Sequence, residues 1–280
     1  MEISAYWQLT KPRITFAILS LYLLSVFTST SGNLANFGRS LLGAVAVFIS
    51  AASSNALNCY IDQDIDRIMA RTKRRPIPSG KIKAKDAFTF GMLSMLVSVI
   101  ITYFLGYPAV FLLFLGLFSY IILYTLLLKR RSFLNVFATA PAVATPVWFG
   151  WVIGRGTLDF QGFLMGFLVV LWGPLHLWSL ATAFVKDYEK VNVPMMPSIV
   201  GRQKACWYTL VLSIILSFAS ILIFFLGYYG LVYLIGVAIL DAMLIFLNIR
   251  VILHPTSRRS WILYKFSAPY IVGLFFMTIF

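Results

Sequence analysis

Apolar residues run through this chain in long blocks. They show neither the alternation of a half-buried strand nor the narrow stripe of a water-soluble helix. Nine blocks, at 14–31, 40–61, 88–106, 108–128, 133–153, 160–184, 206–226, 230–249 and 261–280, are dominated by Phe, Leu, Ile and Val. About 20 such residues wound as a helix cross the roughly 30 Å of hydrocarbon in a bilayer. The pattern therefore predicts an all-α, polytopic membrane protein with nine transmembrane helices. Gly106-Tyr107-Pro108 and Gly227-Tyr228-Tyr229-Gly230 supply tight turns between neighbouring blocks, proline being tolerated at a helix start but not in its interior. No polar stretch is long enough for a separate soluble domain, so 1–280 reads as one domain.

Charge orients these spans. Only 11% of the residues are charged, against about 25% in a soluble domain, so the bilayer itself must solvate much of the surface. A net charge of +14 would suit a nucleic-acid partner, but its placement argues against one. With the N-terminus in the cytoplasm, every one of the 23 Lys and Arg except Arg39 and Arg155 lies on the cytoplasmic side, as the positive-inside rule requires. The expectation is a multi-pass protein of the cell membrane, N-terminus cytoplasmic and C-terminus external, with no nucleic-acid partner. No small-residue cleavage site follows a short apolar core near the N-terminus, so a cleaved signal peptide is not expected. Cys59 and Cys206 match neither a disulfide framework nor a thiolate metal site. The longest cytoplasmic loops follow the second and sixth spans, and chemistry is expected there.

The loop after the second span opens with a pattern of oxygen ligands. Asn58, Asp62 and Asp66 recur every fourth residue, with Asn55 one turn before Asn58. On a helix these four share one stripe, successive members about 6 Å apart along the axis. Asp64 points elsewhere. Carboxylates one turn apart repel each other, more so beside hydrocarbon, and a shared cation removes that penalty. Hard oxygen donors without clustered Cys or His favour Mg2+, which binds through one or two carboxylates plus substrate phosphates. Arg71, Lys73, Arg74 and Arg75 follow directly and suit the same anion. Carboxylates and bases at the end of an apolar bundle suggest a ligand with a diphosphate head and a greasy tail. The plainer reading is a charged loop set there by topology, its acids neutralising neighbouring bases.

After the sixth span, Lys186 and Asp187 leave the membrane on the same side, and His176 lies about 16 Å deeper on nearly the same helical face. An interhelical hydrogen bond and a ligand contact both remain open for His176. Asp241, near the middle of the eighth span, should face the bundle, as a structural partner or as a substrate contact. His254 precedes a proline in a loop and supports no reading of its own.

The segment Asn58-Cys59-Tyr60-Ile61-Asp62-Gln63-Asp64-Ile65-Asp66-Arg67-Ile68-Met69, with Arg71-Thr72 and Arg75-Pro76-Ile77-Pro78-Ser79-Gly80, closely resembles the first aspartate-rich motif of the UbiA superfamily of intramembrane prenyltransferases, and of its haem-modifying branch in particular. Leu9-Thr10-Lys11-Pro12-Arg13-Ile14-Thr15 resembles that family's entry to its first helix. Tyr124-Thr125 with Lys129-Arg130 resembles its fourth-helix exit. His176-Leu177-Trp178, Lys186-Asp187-Tyr188 and Val193-Pro194-Met195-Met196-Pro197 resemble its second motif region. The likeness runs from about residue 5 to 205.

The resemblance implies nine helices around a central cavity capped by cytoplasmic loops. It implies transfer of a farnesyl or related prenyl group from its diphosphate to a vinyl group of protohaem IX, with Mg2+ as cofactor. Asn58, Asp62, Asp66 and Asp187 would be the metal-holding, catalytic residues, and Asn55, Arg71, Arg75, Lys129, His176 and Lys186 would contact substrate. A haem-pathway protein partner and a homo-oligomer both stay open. The superfamily's second motif has two aspartates four apart; here Ala183 precedes and Val191 follows Asp187 at that spacing. The haem-modifying branch tends to lack that pair too. Its glycine-rich fifth helix, however, is replaced by Asn135-Val136-Phe137-Ala138-Thr139-Ala140-Pro141-Ala142-Val143-Ala144-Thr145-Pro146, which should narrow or bend that wall. A quinone precursor or a lipid is the alternative acceptor. A transporter would instead predict paired half-repeats or a crossing polar path.

Overall fold

A computed structural model describes residues 3–33 and 36–280. Among these residues nine helices are long and apolar enough to cross a membrane, each within a few residues of the expected block. A short α1 (Ile3–Leu9) precedes α2 (Pro12–Ser29), whose first turn starts on Pro12. The ring of spans continues through α3 (Phe37–Ile61), α5 (Ala84–Tyr103), α6 (Tyr107–Leu117), α7 (Asn135–Arg155), α8 (Phe160–Ala183), α11 (Arg202–Phe225), α12 (Leu231–Leu253) and α13 (Ser257–Met277). The short helices α4 (Gln63–Ile68), α9 (Val185–Lys190) and α10 (Met196–Val200) lie in the two long loops. Neighbours in sequence are largely neighbours in space. α3 packs on α5, α6 on α7, α7 on both α2 and α8, α8 on α11 and α13, and α13 returns to α2 to close the ring.

Local chemistry explains where the spans stop. Gly106 adopts φ 102°, a conformation that L side chains resist, and Pro108 then opens the first turn of α6. Gly156 ends α7 in the left-handed region, and the Asp159 carboxylate accepts from the Gly162 N–H at 2.9 Å to cap α8.

The fourth span changes its winding halfway. Beyond Leu117 it continues as a π-helix over Phe118–Leu128, whose i→i+5 bonds widen each turn. Nothing in the apolar pattern distinguishes this stretch from the α-helix before it.

Two kinds of cohesion operate. Between spans, lipid tails are as apolar as leucine, so close packing and interhelical hydrogen bonds hold the helices together. α2 and α7 show this: the Ser25 hydroxyl donates to the Val147 carbonyl at 2.7 Å, and a Cβ on Gly150 would lie 2.7 Å from the Tyr22 carbonyl oxygen. Outside the hydrocarbon, burial contributes directly, about 1.5–3 kcal/mol for each large apolar side chain removed from water. Ile65, Met69, Val136, Trp178, Tyr188 and Met195 form one such cluster, joining both long loops to the ends of α7 and α8. Ala5 and Leu9 join Ala56, Cys59, Ile77 and Ile82 in another.

Asp241 faces the bundle, as expected of an acid in mid-span. Tyr270 donates to its Oδ1 at 2.7 Å and Ser220 to its Oδ2 at 2.9 Å, while Tyr233 donates to the Ser220 carbonyl. Its partners come from α11 and α13, so the acid ties three spans together.

Gly150→Ala should cost about 1–3 kcal/mol through the forced clash with Tyr22, read as an earlier thermal transition of the detergent-solubilised protein. Gly38→Ala, where a Cβ meets nothing within 4 Å, should leave that transition in place.

Candidate active site

The site forms where α3 ends. Its last two turns carry Asn55 and Asn58, and the backbone leaves helical geometry at Asp62 (φ −89°, ψ 5°) before α4 resumes. The four-residue spacing survives this break, because the Asp62 N–H donates to the Asn58 carbonyl and the Asp66 N–H to the Asp62 carbonyl, both at 2.9 Å. Asn55, Asn58, Asp62 and Asp66 are all buried, whereas the Asp64 side chain is 58% exposed and forms a two-pronged pair with Arg130. The stripe and its outlier thus fall as their spacing requires.

Each buried member has a defined partner. Lys11 Nζ donates to the Asn58 oxygen at 2.8 Å, and the Asn58 amide donates to Asp62 Oδ2 at 2.7 Å and to the Thr125 hydroxyl at 3.3 Å. Lys129 Nζ also donates to Asp62 Oδ2. Arg75 pairs with Asp66 Oδ2 at 2.6 Å. Asp187, on α9, accepts from the Arg71 backbone N–H at 3.1 Å, which joins the two long loops. The Arg71 guanidinium lies 5.8 Å from the centre of the Phe184 ring.

Asp62 is fully buried at the C-terminal end of a helix, where the macrodipole already disfavours negative charge. Cations must therefore compensate it. Lys129 does so directly, and the Arg130 guanidinium approaches Asp62 Oδ1 to 4.0 Å. Burial opposes the charge on Lys129, but Tyr124 and Asp62 outweigh it and hold the ammonium above the ordinary lysine value. Lys11 shows the opposite balance: burial dominates and lowers it to about 8, with Asp66 and Asp62 pulling it back only in part. Its backbone also takes a left-handed conformation, φ 50°, which costs a non-glycine residue energy and persists where surroundings enforce it.

The π-helix places Lys129. Tyr120 and Lys129 are nine residues apart, and α-helical winding would face them about 180° apart. The wider i→i+5 winding sets Tyr120, Thr125 and Lys129 on one line. The Thr125 hydroxyl bonds the Tyr120 carbonyl at 2.7 Å, and the Lys129 N–H bonds the Tyr124 carbonyl at 2.8 Å. The Tyr120 and Tyr124 rings stack at 5.8 Å.

Behind this polar end lies a partly open, mainly apolar cavity of about 130 Å³ between α2, α3, the fourth span and α7. Asn55 and Tyr120 line it at the site end, and Thr139, Ala142, Val143, Thr145 and Pro146 supply the α7 wall. The Ala/Pro segment thus builds the cavity side, and α7 remains helical through Pro141 and Pro146. Asn55 also clips α2, its amide donating to the Thr10 carbonyl at 3.1 Å and the Thr15 hydroxyl at 3.3 Å.

Not every expected residue joins this cluster. His176 lies between α8 and α13, its Nδ1 at 2.7 Å from the Ser267 hydroxyl and its ring 4.4 Å from both Trp172 and Tyr264. The interhelical hydrogen bond left open for it is present. Lys186 stands exposed beside Asp187. Lys11, Tyr120 and Thr125 are the residues that spacing arguments miss. They approach from other helices, and only the Lys11-Pro12-Arg13 and Tyr124-Thr125 segments hinted at them.

Among the described residues no three acidic, histidine or cysteine side chains gather into a ready metal cage. Asp62 Oδ1, however, is buried without a hydrogen-bond partner, and an orphaned carboxylate oxygen is costly unless something satisfies it. Oxygen donors of this kind, few in number and beside a diphosphate-sized group of bases, fit Mg2+.

A family model described as the UbiA prenyltransferase family matches residues 16–279. The chain belongs to this family. Protoheme IX farnesyltransferase 1 of Cenarchaeum symbiosum is 37% identical, with 96% of this chain and 92% of that protein covered. Protoheme IX farnesyltransferase of Desulforudis audaxviator is 34% identical over 97% and 86% of the two chains. Among solved structures, a digeranylgeranylglyceryl phosphate synthase shares the fold at TM-score 0.81 and 21% identity, covering 100% of this chain and 98% of that one. A UbiA homologue from Archaeoglobus fulgidus, solved with GPP and Mg2+, superposes at TM-score 0.72 and 15% identity, covering 98% and 99%. The UbiA chain described here is therefore a multi-pass membrane prenyltransferase.

Removing one partner of a buried pair strands the other. Lys129→Met should destabilise the protein by about 3–5 kcal/mol, and adding Asp62→Asn should restore most of that loss. Chemical unfolding of the two variants beside the parent chain checks the pair.

Proposed function

We propose that this UbiA-family prenyltransferase transfers the farnesyl group of farnesyl diphosphate to a vinyl carbon of protohaem IX, releasing diphosphate and giving haem O. One observation carries the reading: a buried carboxylate and its bases stand at the end of an apolar cavity that Asn55, of the same stripe as Asp62, and Tyr120, of the same helix as Lys129, line. The relatives named for this activity, alike over nearly the whole chain, choose the acceptor. Residues 1–280 would act as one catalytic unit.

Asp62 and Asp66, with the Asn58 oxygen and Asp187, would hold Mg2+ together with the diphosphate. When bound, the metal supplies neutralisation of charge that builds on the departing diphosphate. The protein's own bases share that task. Lys129, Arg75 and Arg71 are the groups we assign to the diphosphate, with Lys186 at the rim, because anion-directed donors already in place need no reorganisation as charge develops. The cavity between α2, α3, the fourth span and α7 would hold the prenyl chain and keep bulk water from the allylic carbon as its bond to oxygen breaks. The electron-rich vinyl group attacks that carbon, and water adds to the resulting haem-side cation to leave a hydroxyl. Tyr120, at the junction of cavity and polar cluster, would face the reacting end of the chain. His176, off this cluster, would serve the acceptor side of the bundle.

The charge bias supports a cap and N-terminus in the cytoplasm and a C-terminus outside. Protease accessibility of tags at either end of the chain in sealed vesicles tests this, and an exposed external N-terminal tag would contradict it.

Asp62→Asn should lower turnover by about a hundredfold or more, a loss that the Lys129→Met/Asp62→Asn double variant, with its stability restored, should share, and chelation of divalent cations should stop turnover reversibly. Mass spectrometry of haem recovered after incubation with farnesyl diphosphate reads both. Prenyl mass appearing on a quinone precursor or a lipid and not on haem would replace the acceptor and leave the ionisation chemistry intact.

A further inference from the structure

A second, larger recess lies on the outside of the bundle, distinct from the cavity assigned to the prenyl chain. It is an open groove of about 770 Å³ between α3, α5 and the fourth span, within the size range of ligand-binding clefts. Leu57, Phe88, Met92, Phe114, Phe118 and Ile122 line it, and almost every exposed atom within it is apolar. At its upper end the Tyr60 and Phe88 rings pack at 5.1 Å.

Ile61 and Leu126 are shared with an adjoining recess of about 570 Å³ that has a different character. Gln63, Asp64, Arg67, Thr125 and Arg130 line this second part. It sits where α3 and the π-helix end, at the level where a bilayer changes from hydrocarbon to headgroups. Apolar groove and polar pocket therefore form one continuous, two-part surface aligned along the membrane normal. Asp64 is held by both prongs of Arg130, at 2.7 Å each, and so contributes no free negative charge. Arg67, in the last turn of α4, is exposed and has no acidic partner among the described residues. The pocket thus keeps one unbalanced guanidinium.

We propose that this surface is a selective site for a bilayer phospholipid with an anionic headgroup, the phosphate on Arg67 and the Arg130 edge, the acyl chains in the groove. Charge separates this occupant from the zwitterionic lipids, which an apolar groove alone would accept equally. A basic residue at the membrane surface favours an anionic lipid by about five-fold. The site also touches the chemistry. Arg130 spans from Asp64 in the pocket to within 4.0 Å of Asp62, so an anion that draws on Arg130 bears on the charge balance of the buried carboxylate. Binding itself does not depend on which acceptor is prenylated, or on prenylation at all.

The test uses the full chain in detergent, mixed with equal amounts of phosphatidylglycerol, phosphatidylethanolamine and phosphatidylcholine of matched acyl chains, and reads retained lipid by native mass spectrometry. The parent chain should retain phosphatidylglycerol about five-fold over either zwitterion. Arg67→Gln should bring the three to parity, Arg67→Lys should keep the preference, and Met92→Trp, which fills the groove, should lower retention of all three alike. Thermal transitions confirm that each variant is folded. Equal retention by the parent chain would overturn the proposal, as would an undiminished preference in Arg67→Gln. Displacement of phosphatidylglycerol by farnesyl diphosphate would also overturn it, marking the groove as a substrate dock.

Discussion

A carboxylate with no access to water cannot stay charged at the end of a membrane helix unless cations are brought to it. Asp62 is such a group: fully buried, at the negative end of the α3 dipole, and next to a second acid one turn on. Lys129 from the fourth span, Arg130 beside it, and Lys11 through Asn58 are the response. Satisfying this one residue draws together three segments far apart in sequence: the entry to α2, the end of α3 and the exit of the fourth span. In the function we propose, the same groups would also accept an anion. On that proposal structural compensation and substrate recognition would be one arrangement, because a diphosphate would bring negative charge to bases that the carboxylate had already gathered.

That arrangement is held by two different kinds of cohesion. The walls of the cavity stand in hydrocarbon, where apolar burial earns nothing and helices need close contact, as α2 does on α7 at Gly150. The cap stands in water. There Ile65, Met69, Trp178 and Met195 act like a small soluble core, and the Arg71 N–H to Asp187 contact crosses from one loop to the other beside it. Only where the two meet can an apolar tail and a diphosphate be held at once. The break in α3 at Asp62 marks that boundary. Its backbone hydrogen bonds keep the four-residue rhythm, so Asp66 remains in line with Asn58 although the helix proper has ended.

The parts of this structure legible in the sequence are those set by local period and by the bilayer. Span length follows from hydrocarbon thickness, and each long helix ends within a few residues of its apolar block. The stripe of Asn55, Asn58, Asp62 and Asp66 follows from 3.6 residues per turn, and so does the exclusion of Asp64 from it. Partners recruited from afar were not legible. Lys11 looked like an orientation signal, because a base just before a first span serves topology equally well. His176 and Asp241 had two readings each, since a buried polar residue in a span needs a partner and sequence does not say whether protein or ligand supplies it. Protein supplies it in both cases, through Ser267 for the first and through Tyr270 and Ser220 for the second.

The winding of the fourth span is the least visible feature and has the largest geometric effect. Phe118–Leu128 is as apolar as Tyr107–Leu117, and side-chain hydropathy responds to depth in the bilayer rather than to hydrogen-bond register. A π-helix gives up optimal packing along its axis for every turn it runs, so eleven residues of it require a return. The return is found at the cytoplasmic end of the span as we orient it. With α-helical winding, Thr125 and Lys129 would still share a face, but that face would turn about 140–180° away from Tyr120. One helix face could then not both line the cavity with Tyr120 and reach Asn58 and Asp62 with Thr125 and Lys129. The winding of the fourth span thus lets one helix line the cavity with Tyr120 and bring Lys129 to the buried carboxylate.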